Sequence, residues 1–215
     1  MKGVEQPPEF HPEGDVWTHT LLMLEQLRQP SPTLALGVLL HDVGKPPTFR
    51  REDRIRFNGH AELGARMAAG ILSRLRFSSD EIRRVEALVA NHLRFKDVER
   101  MRESTLKRFL REPHFDEHLE LHRLDCLASH RNLDHFEFLK AKLAELPAEE
   151  IKPPKLLTGN DLIAAGYCPG KAFTEILEAV EDAQLEGQLH SREDALAFVL
   201  SLFDRPDGHP KSACT

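Results

Sequence analysis

The chain has 215 residues, 40% hydrophobic and 30% charged, which is typical of a folded protein with one core, or of a core with a small appendage. Its formal net charge of −6 argues against wholesale wrapping of nucleic acid but leaves room for local basic patches. The longest uninterrupted apolar run is residues 34–40, and the N-terminus lacks an export pattern, so we expect no membrane span and no Sec export. The cysteines Cys126, Cys168 and Cys214 form no CxxC pair, which favours a reducing cytoplasm over a disulfide framework.

Helical periodicity extends through most of the chain and is interrupted at prolines and glycines. It predicts an all-α protein with a helical bundle over residues 11–146 and a small helical C-terminal extension over 153–205. Residues 48–51 and 54–57 flank an acidic pair and fit either a short hairpin or a basic loop. The predicted helices cover residues 15–29, 34–42, 60–76, 79–92, 104–111, 116–130, 132–145, 169–185 and 191–203.

Four histidines and two aspartates fall on the apolar faces of predicted helices, where they would point into a core. These are His19, His41, Asp42, His60, His92 and Asp125. A single inward histidine is more often a hydrogen-bonded core residue than a ligand. Two inward carboxylates without Lys or Arg on the same stripes favour a metal centre, because one cation neutralises both. Imidazole and carboxylate ligands suit Mn, Fe, Co, Ni or Zn, with Mg as a further candidate.

The order of these residues carries a family resemblance. His19, the His41-Asp42 pair, His60, His92 and Asp125 follow one another along the chain, and Lys45 completes an HDxGK segment. Over about residues 11–130 this order resembles the HD-domain metal-dependent phosphohydrolases. The resemblance implies a first divalent metal ion held by His19, His41, Asp42 and Asp125. It implies a second ion bridged by Asp42 and held by His60 and His92. We expect this second ion to be weakly bound or absent, because Asn91-His92 stands where some dinuclear members have paired histidines.

A closer resemblance covers most of the chain. The runs HPEGDVWTHTLLML, RFNGHAELGARMA and LLTGNDLIAAGYCPGKAFTEILEAVEDAQLEGQLHSREDAL are similar to the HD and C-terminal region of bacterial tRNA nucleotidyltransferases, the CCA-adding and poly(A)-polymerase-like enzymes. Those enzymes carry an N-terminal nucleotidyltransferase head with a Gly-Ser motif and DxD carboxylates, and no such block precedes Glu13 here. We therefore expect phosphohydrolysis from this chain and not nucleotide addition.

Both resemblances imply hydrolysis of nucleotide-like phosphomonoesters or 2′,3′-cyclic phosphodiesters by a metal-activated water. Asp42 and Lys45 are the catalytic candidates, with Lys45 also binding a substrate phosphate oxygen; the alternative for Lys45 is a solvated loop lysine. The competing interpretation is a non-catalytic accessory module that binds tRNA or other RNA for a separate nucleotidyltransferase head. A nucleotide, an RNA 3′-end phosphate or tRNA are the expected partners, with no DNA specificity.

Two basic stretches supply a candidate surface for a polyanion. Residues 94–111 carry a net charge of +4 and residues 45–56 a net charge of +3. Both lie next to candidate ligands in the sequence. The alternative is an ordinary solvated face of mixed charge, since few aromatic residues are interleaved with the basic ones.

Overall fold

The computed structural model describes residues 1–203, whose regular secondary structure is almost all helical, and the predicted all-α class is confirmed. Residues 204–205 of the predicted extension and Cys214 lie outside the described residues. The α-helices are α1 (Val16–Glu25), α2 (Pro32–Leu40), α3 (Lys45–Thr48), α4 (His60–Arg74), α5 (Ser79–Asn91), α6 (Glu103–Leu110), α7 (Phe115–Ala128), α8 (Asp134–Glu145), α9 (Ala148–Ile151), α10 (Gly159–Ala164), α11 (Lys171–Leu185) and α12 (Arg192–Leu202). A 3₁₀ helix spans Arg94–Arg100.

The contacts divide the chain into two compact units. Unit 1 comprises Met1–Glu99 and Pro113–Lys142, and unit 2 comprises Arg100–Glu112 and the described chain from Leu143 onward. The division inferred from the sequence placed residues 100–112 within the first domain, whereas in the structure this segment groups with the C-terminal helices. The local helical pattern does not reveal this, because periodicity shows which face of a helix is buried but not what covers it.

The core of unit 1 surrounds α2, which packs against α1, α5 and α7. Almost every residue of α2 is apolar, as expected for a helix covered on several sides. Gly37 allows a close approach to α5, since a Cβ atom at this position would lie 2.8 Å from Leu88 Cδ1. The buried residues of this cluster are Met23, Leu34, Val38, Leu88, Leu121, Leu124 and Ala128.

The segment after α2 contains the strands of the fold. Strands β1 (Arg50–Arg51) and β2 (Ile55–Arg56) pair antiparallel, so the hairpin is the correct choice between the two predicted alternatives. Pro46 and Pro47, whose presence in the sequence predicts only the end of the preceding helix, lie in the first turn of α3. Proline is tolerated there because the first backbone N–H groups of a helix have no partner within it.

Unit 2 has its own apolar core, built by α10, α11, α12 and the loops between them. Its buried residues are Leu157, Leu162, Tyr167, Ile176, Val180, Ala183, Leu189, Ala195 and Val199. Helix α6 is held to α11 by polar contacts: Lys107 Nζ donates to the carbonyl oxygen of Leu185 at 3.0 Å. Arg108 pairs with Glu181 at 2.7 Å.

Within residues 1–203, no helix is both long enough and apolar enough to cross a membrane.

Candidate metal centre

Five elements of unit 1 deliver the six residues singled out in the sequence. His19 lies on the buried stripe of α1 with Val16 and Met23. His41 caps α2 and Asp42 follows it directly. His60 is the first residue of α4, His92 caps α5, and Asp125 lies in the last turn of α7. These ends and faces meet at one place because α2 is central to the packing of α1, α5 and α7.

Three of the histidines are oriented in the same way. The Nδ1 atoms of His41, His60 and His92 lie 2.8, 2.8 and 2.6 Å from the backbone carbonyl oxygens of Val38, Phe57 and Val89, each three residues earlier. A carbonyl oxygen only accepts, so Nδ1 carries the proton and the Nε2 lone pair is left for a ligand. A histidine that binds a metal ion through one ring nitrogen usually donates the N–H of its other ring nitrogen to such a carbonyl group.

Asp42 lies between the histidines. Its Oδ2 is 3.1 Å from His41 Nε2. Its Oδ1 is 3.5 Å from His60 Nε2 and 3.8 Å from His92 Nε2, and these two nitrogens are 3.2 Å apart. The two oxygens of one carboxylate therefore face different histidines.

The remaining pair completes the cluster. His19 Nε2 is 3.1 Å from Asp125 Oδ1, and the His19 ring lies 5.4 Å from the ring of His41. The ligand-type atoms thus form two adjacent groups able to hold a metal ion, one of His19, His41 and Asp125 and one of Asp42, His60 and His92. All six predicted residues are brought together.

Glu13 is a site residue that the sequence reasoning missed. Its Oε1 accepts hydrogen bonds from Nδ1 of His19 at 2.6 Å and from Nδ1 of His11 at 2.9 Å. Glu13 and His11 precede α1 in an irregular segment, where helical periodicity makes no prediction. The only signal available was their proximity in sequence to His19.

Lys45 does not lie in a solvated loop, so that alternative is wrong. The side chain is buried, its Nζ lies 2.7 Å from Asp42 Oδ2, and it donates to Gln6 Oε1 at 2.7 Å. The helix before Asp42 carries no Lys or Arg that could pair with it. The turn after Asp42 folds back and supplies one.

The pKa values of the site histidines diverge according to their surroundings. Burial lowers the pKa of His92 to about 3 and also lowers that of His60, although Asp42 acts in the opposite direction on both. Burial also acts to lower the pKa of His19, but Asp125 and Glu13 raise it to about 9. His60 and His92 are therefore neutral near pH 7, and a neutral imidazole is the form that binds metal ions.

The carboxylates of the site are ionised. Burial acts to raise the pKa of Asp42, but His41 and Lys45 hold it well below its ordinary value. The pKa of Asp125 is lowered in the same way by His19, against the effect of burial.

Unpaired buried atoms indicate that these residues fit a metal ion. Nε2 of His19, Nε2 of His41 and Oδ2 of Asp42 are buried without a hydrogen bond of acceptable geometry, although each lies within ion-pair distance of a neighbour. Leaving such atoms unsatisfied is costly. A divalent cation would satisfy imidazole nitrogens and carboxylate oxygens together, so these residues could hold a metal ion.

Two further histidines of unit 1, His118 and His122, do not join the centre. The buried His122 stacks on Phe95 with ring centroids 4.2 Å apart, and burial lowers its pKa to about 4. His118 is also buried, with a pKa lowered to about 4 by the same cause. Both are therefore neutral side chains packed in the interior.

The comparison with protein families agrees with this geometry. The HD domain family matches residues 15–130, more than half of the chain, and that range contains all six candidate ligands. The chain belongs to the HD-domain family. The resemblance inferred from the order of the histidines and aspartates is thereby confirmed.

The HD-domain chain is also similar to two tRNA nucleotidyltransferases and to a multifunctional CCA protein. It is 34% identical to an A-adding tRNA nucleotidyltransferase of Deinococcus radiodurans over 86% of this chain and 46% of the relative. It is 34% identical to a CC-adding tRNA nucleotidyltransferase of Thermus thermophilus over 86% of this chain and 44% of the relative. A multifunctional CCA protein of Alkalilimnicola ehrlichii is 29% identical over 96% of this chain and 48% of the relative. The chain therefore spans about half the length of these curated relatives.

Proposed function

We propose that this chain is a metal-dependent phosphohydrolase acting on nucleotide-like phosphomonoesters or 2′,3′-cyclic phosphodiesters. The observation that carries the proposal is the convergence of four histidines and two aspartates at one buried place, with unpaired nitrogen and oxygen atoms facing inward. A purely structural cluster would be expected to satisfy those atoms within the protein.

In this proposal His19, His41 and Asp125 hold one divalent ion, Asp42, His60 and His92 hold a second, and Asp42 also contributes to the first. Such ions lower the pKa of a bound water and stabilise negative charge on phosphoryl oxygens. The ion is Mn, Fe, Co, Ni or Zn, with Mg as a further candidate, because imidazole nitrogens make up four of the six ligands.

The protein's own residues position this chemistry. The backbone carbonyls of Val38, Phe57 and Val89 fix three imidazole rings, and Glu13 fixes the fourth. Lys45 places a positive charge beside Asp42, and this charge would stabilise a phosphoryl group bound at the same point. Lys45 is thus the candidate for substrate binding. Asp42 would hold ligands of both ions in place, since it lies beside His41 of the first group and beside His60 and His92 of the second.

The test is hydrolysis by protein that has been stripped with a chelator and then supplied with a single metal. Adenosine 2′,3′-cyclic phosphate and p-nitrophenyl phosphate serve as substrates, with Mn, Co, Ni, Zn or Mg restored in turn. We expect metal-dependent turnover that falls by at least about 100-fold in Asp42→Asn. Asp80→Asn is the matched control, since Asp80 is an exposed aspartate whose ion pair with Arg83 is at the surface. Equal turnover in both variants, or none with any metal in a folded protein, would overturn the proposal.

The second candidate function is binding of tRNA. It is favoured by the similarity of most of this chain to two tRNA nucleotidyltransferases. Burial and ion pairing of the basic residues reduce the surface that could bind tRNA. In the 94–111 stretch, Lys107 is buried and Arg108 and Arg111 pair with Glu181, so its charge is partly neutralised. In the hairpin, which follows α3 in the chain, Arg50 and Arg54 are exposed.

We expect tRNA affinity to fall steeply as the salt concentration rises. In the Arg50→Ala, Arg54→Ala double variant, the slope of log affinity against log salt concentration should be smaller by about one for each phosphate that is no longer bound by an arginine. Arg28→Ala with Arg83→Ala is the control, because both arginines are exposed elsewhere in unit 1. Salt-dependent tRNA binding without any hydrolysis would favour this function over the first. An equal effect of both double variants would remove the hairpin from the interface.

A further inference from the structure

An open cleft of about 470 Å³ lies in unit 1 between the N-terminal segment, α1 and the end of α7. Leu22 and Leu127 contribute apolar walls from the two helices, and Gln26, Ser129 and Arg131 contribute polar groups. The volume is within the range of small-molecule sites, which run from roughly 300 to 1,000 Å³. The mixture of apolar walls and a few polar groups is also typical of such sites.

The cleft adjoins the candidate metal centre through three connections. On α7, Ser129 follows Asp125 by four residues and is therefore its neighbour on the helix surface. Its Oγ donates to the carbonyl oxygen of Asp125 at 2.7 Å. On α1, Leu22 and Gln26 continue the stripe of His19 by three and seven residues. Glu13, which holds His19, also lines the cleft.

Among the six candidate ligands, Asp125 is the most exposed. The Asp125 side chain is 25% exposed, whereas the side chains of the other five candidate ligands are at most 9% exposed. A ligand that reaches the centre past Asp125 would therefore have the rest of its structure near Ser129 and the cleft.

The charges of the cleft suit an uncharged planar group better than a second phosphate. Gln26 and Ser129 are the C-caps of α1 and α7, so two helix C-termini with their partial negative charge end at the cleft. The Glu13 carboxylate adds a further negative charge, against the single guanidinium of Arg131. Gln26 Nε2 donates to the Leu22 carbonyl, which leaves its amide oxygen as an acceptor for a ring amino or imino group.

We propose that this cleft binds the base of a nucleotide whose phosphate lies at the metal centre. The proposal rests on the proposed phosphohydrolase function for the position of the phosphate, and it adds to that function the place where the base is held. Leu22 and Leu127 would contact the faces of the base, and Gln26, Ser129 and Arg131 would contact its polar edge. These residues determine specificity and take no part in the hydrolysis.

The kinetic test compares two cyclic phosphodiesters that differ in the base. Gln26→Trp fills the cleft, and Leu21→Trp is its control because Leu21 is 41% exposed on the same helix and does not line the cleft. For adenosine 2′,3′-cyclic phosphate we expect Gln26→Trp to raise KM about tenfold, the effect expected for removing apolar contacts to one ring. For glycerol 1,2-cyclic phosphate, which has no base, kcat/KM should stay within about twofold of wild type. Leu127→Trp, from the opposite wall, should behave as Gln26→Trp does.

A binding measurement separates failure of this proposal from failure of the phosphohydrolase function. Saturation-transfer NMR with adenosine, which has no phosphate, is recorded on chelator-treated protein. We expect signal transfer in the wild type, in Leu21→Trp and in Asp42→Asn, and its loss in Gln26→Trp and Leu127→Trp. Adenosine binding that is equal in all variants, or absent from the wild type, would overturn the assignment of the cleft whether or not the protein hydrolyses phosphates. Circular dichroism of each variant establishes that it is folded.

Discussion

The position of His19 depends on a residue outside the helix that carries it. Glu13 accepts the Nδ1 proton of His19 at 2.6 Å, and its side chain is only 7% exposed. This contact leaves Nε2 of His19 directed toward Asp125, at 3.1 Å. A carboxylate in this place orients the ring and increases its basicity toward a metal ion.

We therefore expect Glu13→Gln to weaken metal binding about 10- to 100-fold, the usual cost of removing such a partner. Titration of the stripped protein with Co²⁺, followed by its absorption spectrum, measures the affinity directly. Glu62→Gln, an exposed position on α4, is the control for loss of a negative charge. An unchanged affinity in Glu13→Gln would show that His19 is oriented without it.

Gly44 determines how closely the turn after Asp42 approaches α4. A Cβ atom at this position would lie 2.1 Å from the carbonyl oxygen of His60 and 2.8 Å from the backbone nitrogen of Gly64. Both neighbours are backbone atoms, so one segment would have to move. That movement would also separate Asp42 from His60.

Gly44→Ala should therefore lower the free energy of unfolding by about 1–3 kcal/mol, the usual cost of overpacking. Gly70→Ala is a matched control in α4, because a Cβ atom there meets nothing within 4 Å. In a helix interior this control should be stabilising, by about 0.5–1 kcal/mol. Urea denaturation of the two variants measures both effects, and equal midpoints would contradict the packing argument.

Between elements, charged side chains hold α6 to α11 in unit 2. Glu181 accepts from Arg108 at 2.7 Å and from Arg111 at 2.8 Å. Burial acts to raise the pKa of Glu181, but the two guanidinium groups lower it below its ordinary value of 4.5. A carboxylate whose pKa is lowered on folding stabilises the protein above its unfolded pKa, and this contribution disappears as the pH falls.

Glu181→Gln should accordingly destabilise the protein by about 1 kcal/mol near neutral pH, since the pairs are partly exposed. The difference from wild type should shrink as the pH falls below 4.5, where the wild-type carboxylate begins to take up a proton. Urea midpoints across this pH range measure it. Glu175→Gln, an exposed position on α11, should show a smaller effect at every pH. A constant difference between wild type and Glu181→Gln across the range would contradict the ion-pair explanation.

For the molecule as a whole, the six candidate ligands belong to unit 1, since they lie within Met1–Glu99 and Pro113–Lys142. A ligand that binds only the folded state stabilises it by about 2.7 kcal/mol at a concentration 100-fold above its Kd. That stabilisation should apply to the elements that carry the ligands.

Metal addition to stripped protein should therefore slow hydrogen exchange in α4, α5 and α7, with much less effect on α11 and α12. Exchange measured by mass spectrometry with and without Mn²⁺ or Zn²⁺ tests this, and Asp42→Asn should show no change on metal addition. Equal protection of both units, or protection of the variant, would place the metal elsewhere.

Most helices and all six candidate ligands were predictable from the sequence, because burial of an apolar stripe is a local pattern with a fixed period. Residues such as His19 and Asp125 stand out where a polar group occurs on that stripe. Ser78 and Glu81 form a capping box at the start of α5, and this too is a local pattern of residue types three positions apart. Family membership followed from the order of the ligand-type residues along the chain.

Tertiary structure alone decided how these residues meet and what else meets them. Lys45 pairs with Asp42 because the turn folds back, Glu13 reaches His19 from an irregular segment, and residues 100–112 group with the C-terminal helices. Each depends on contacts between segments whose relative position no periodic pattern specifies. The sequence therefore determined which side chains point inward, and the packing of α1, α2, α4, α5 and α7 decided that they face one another across a single centre, beside a cleft.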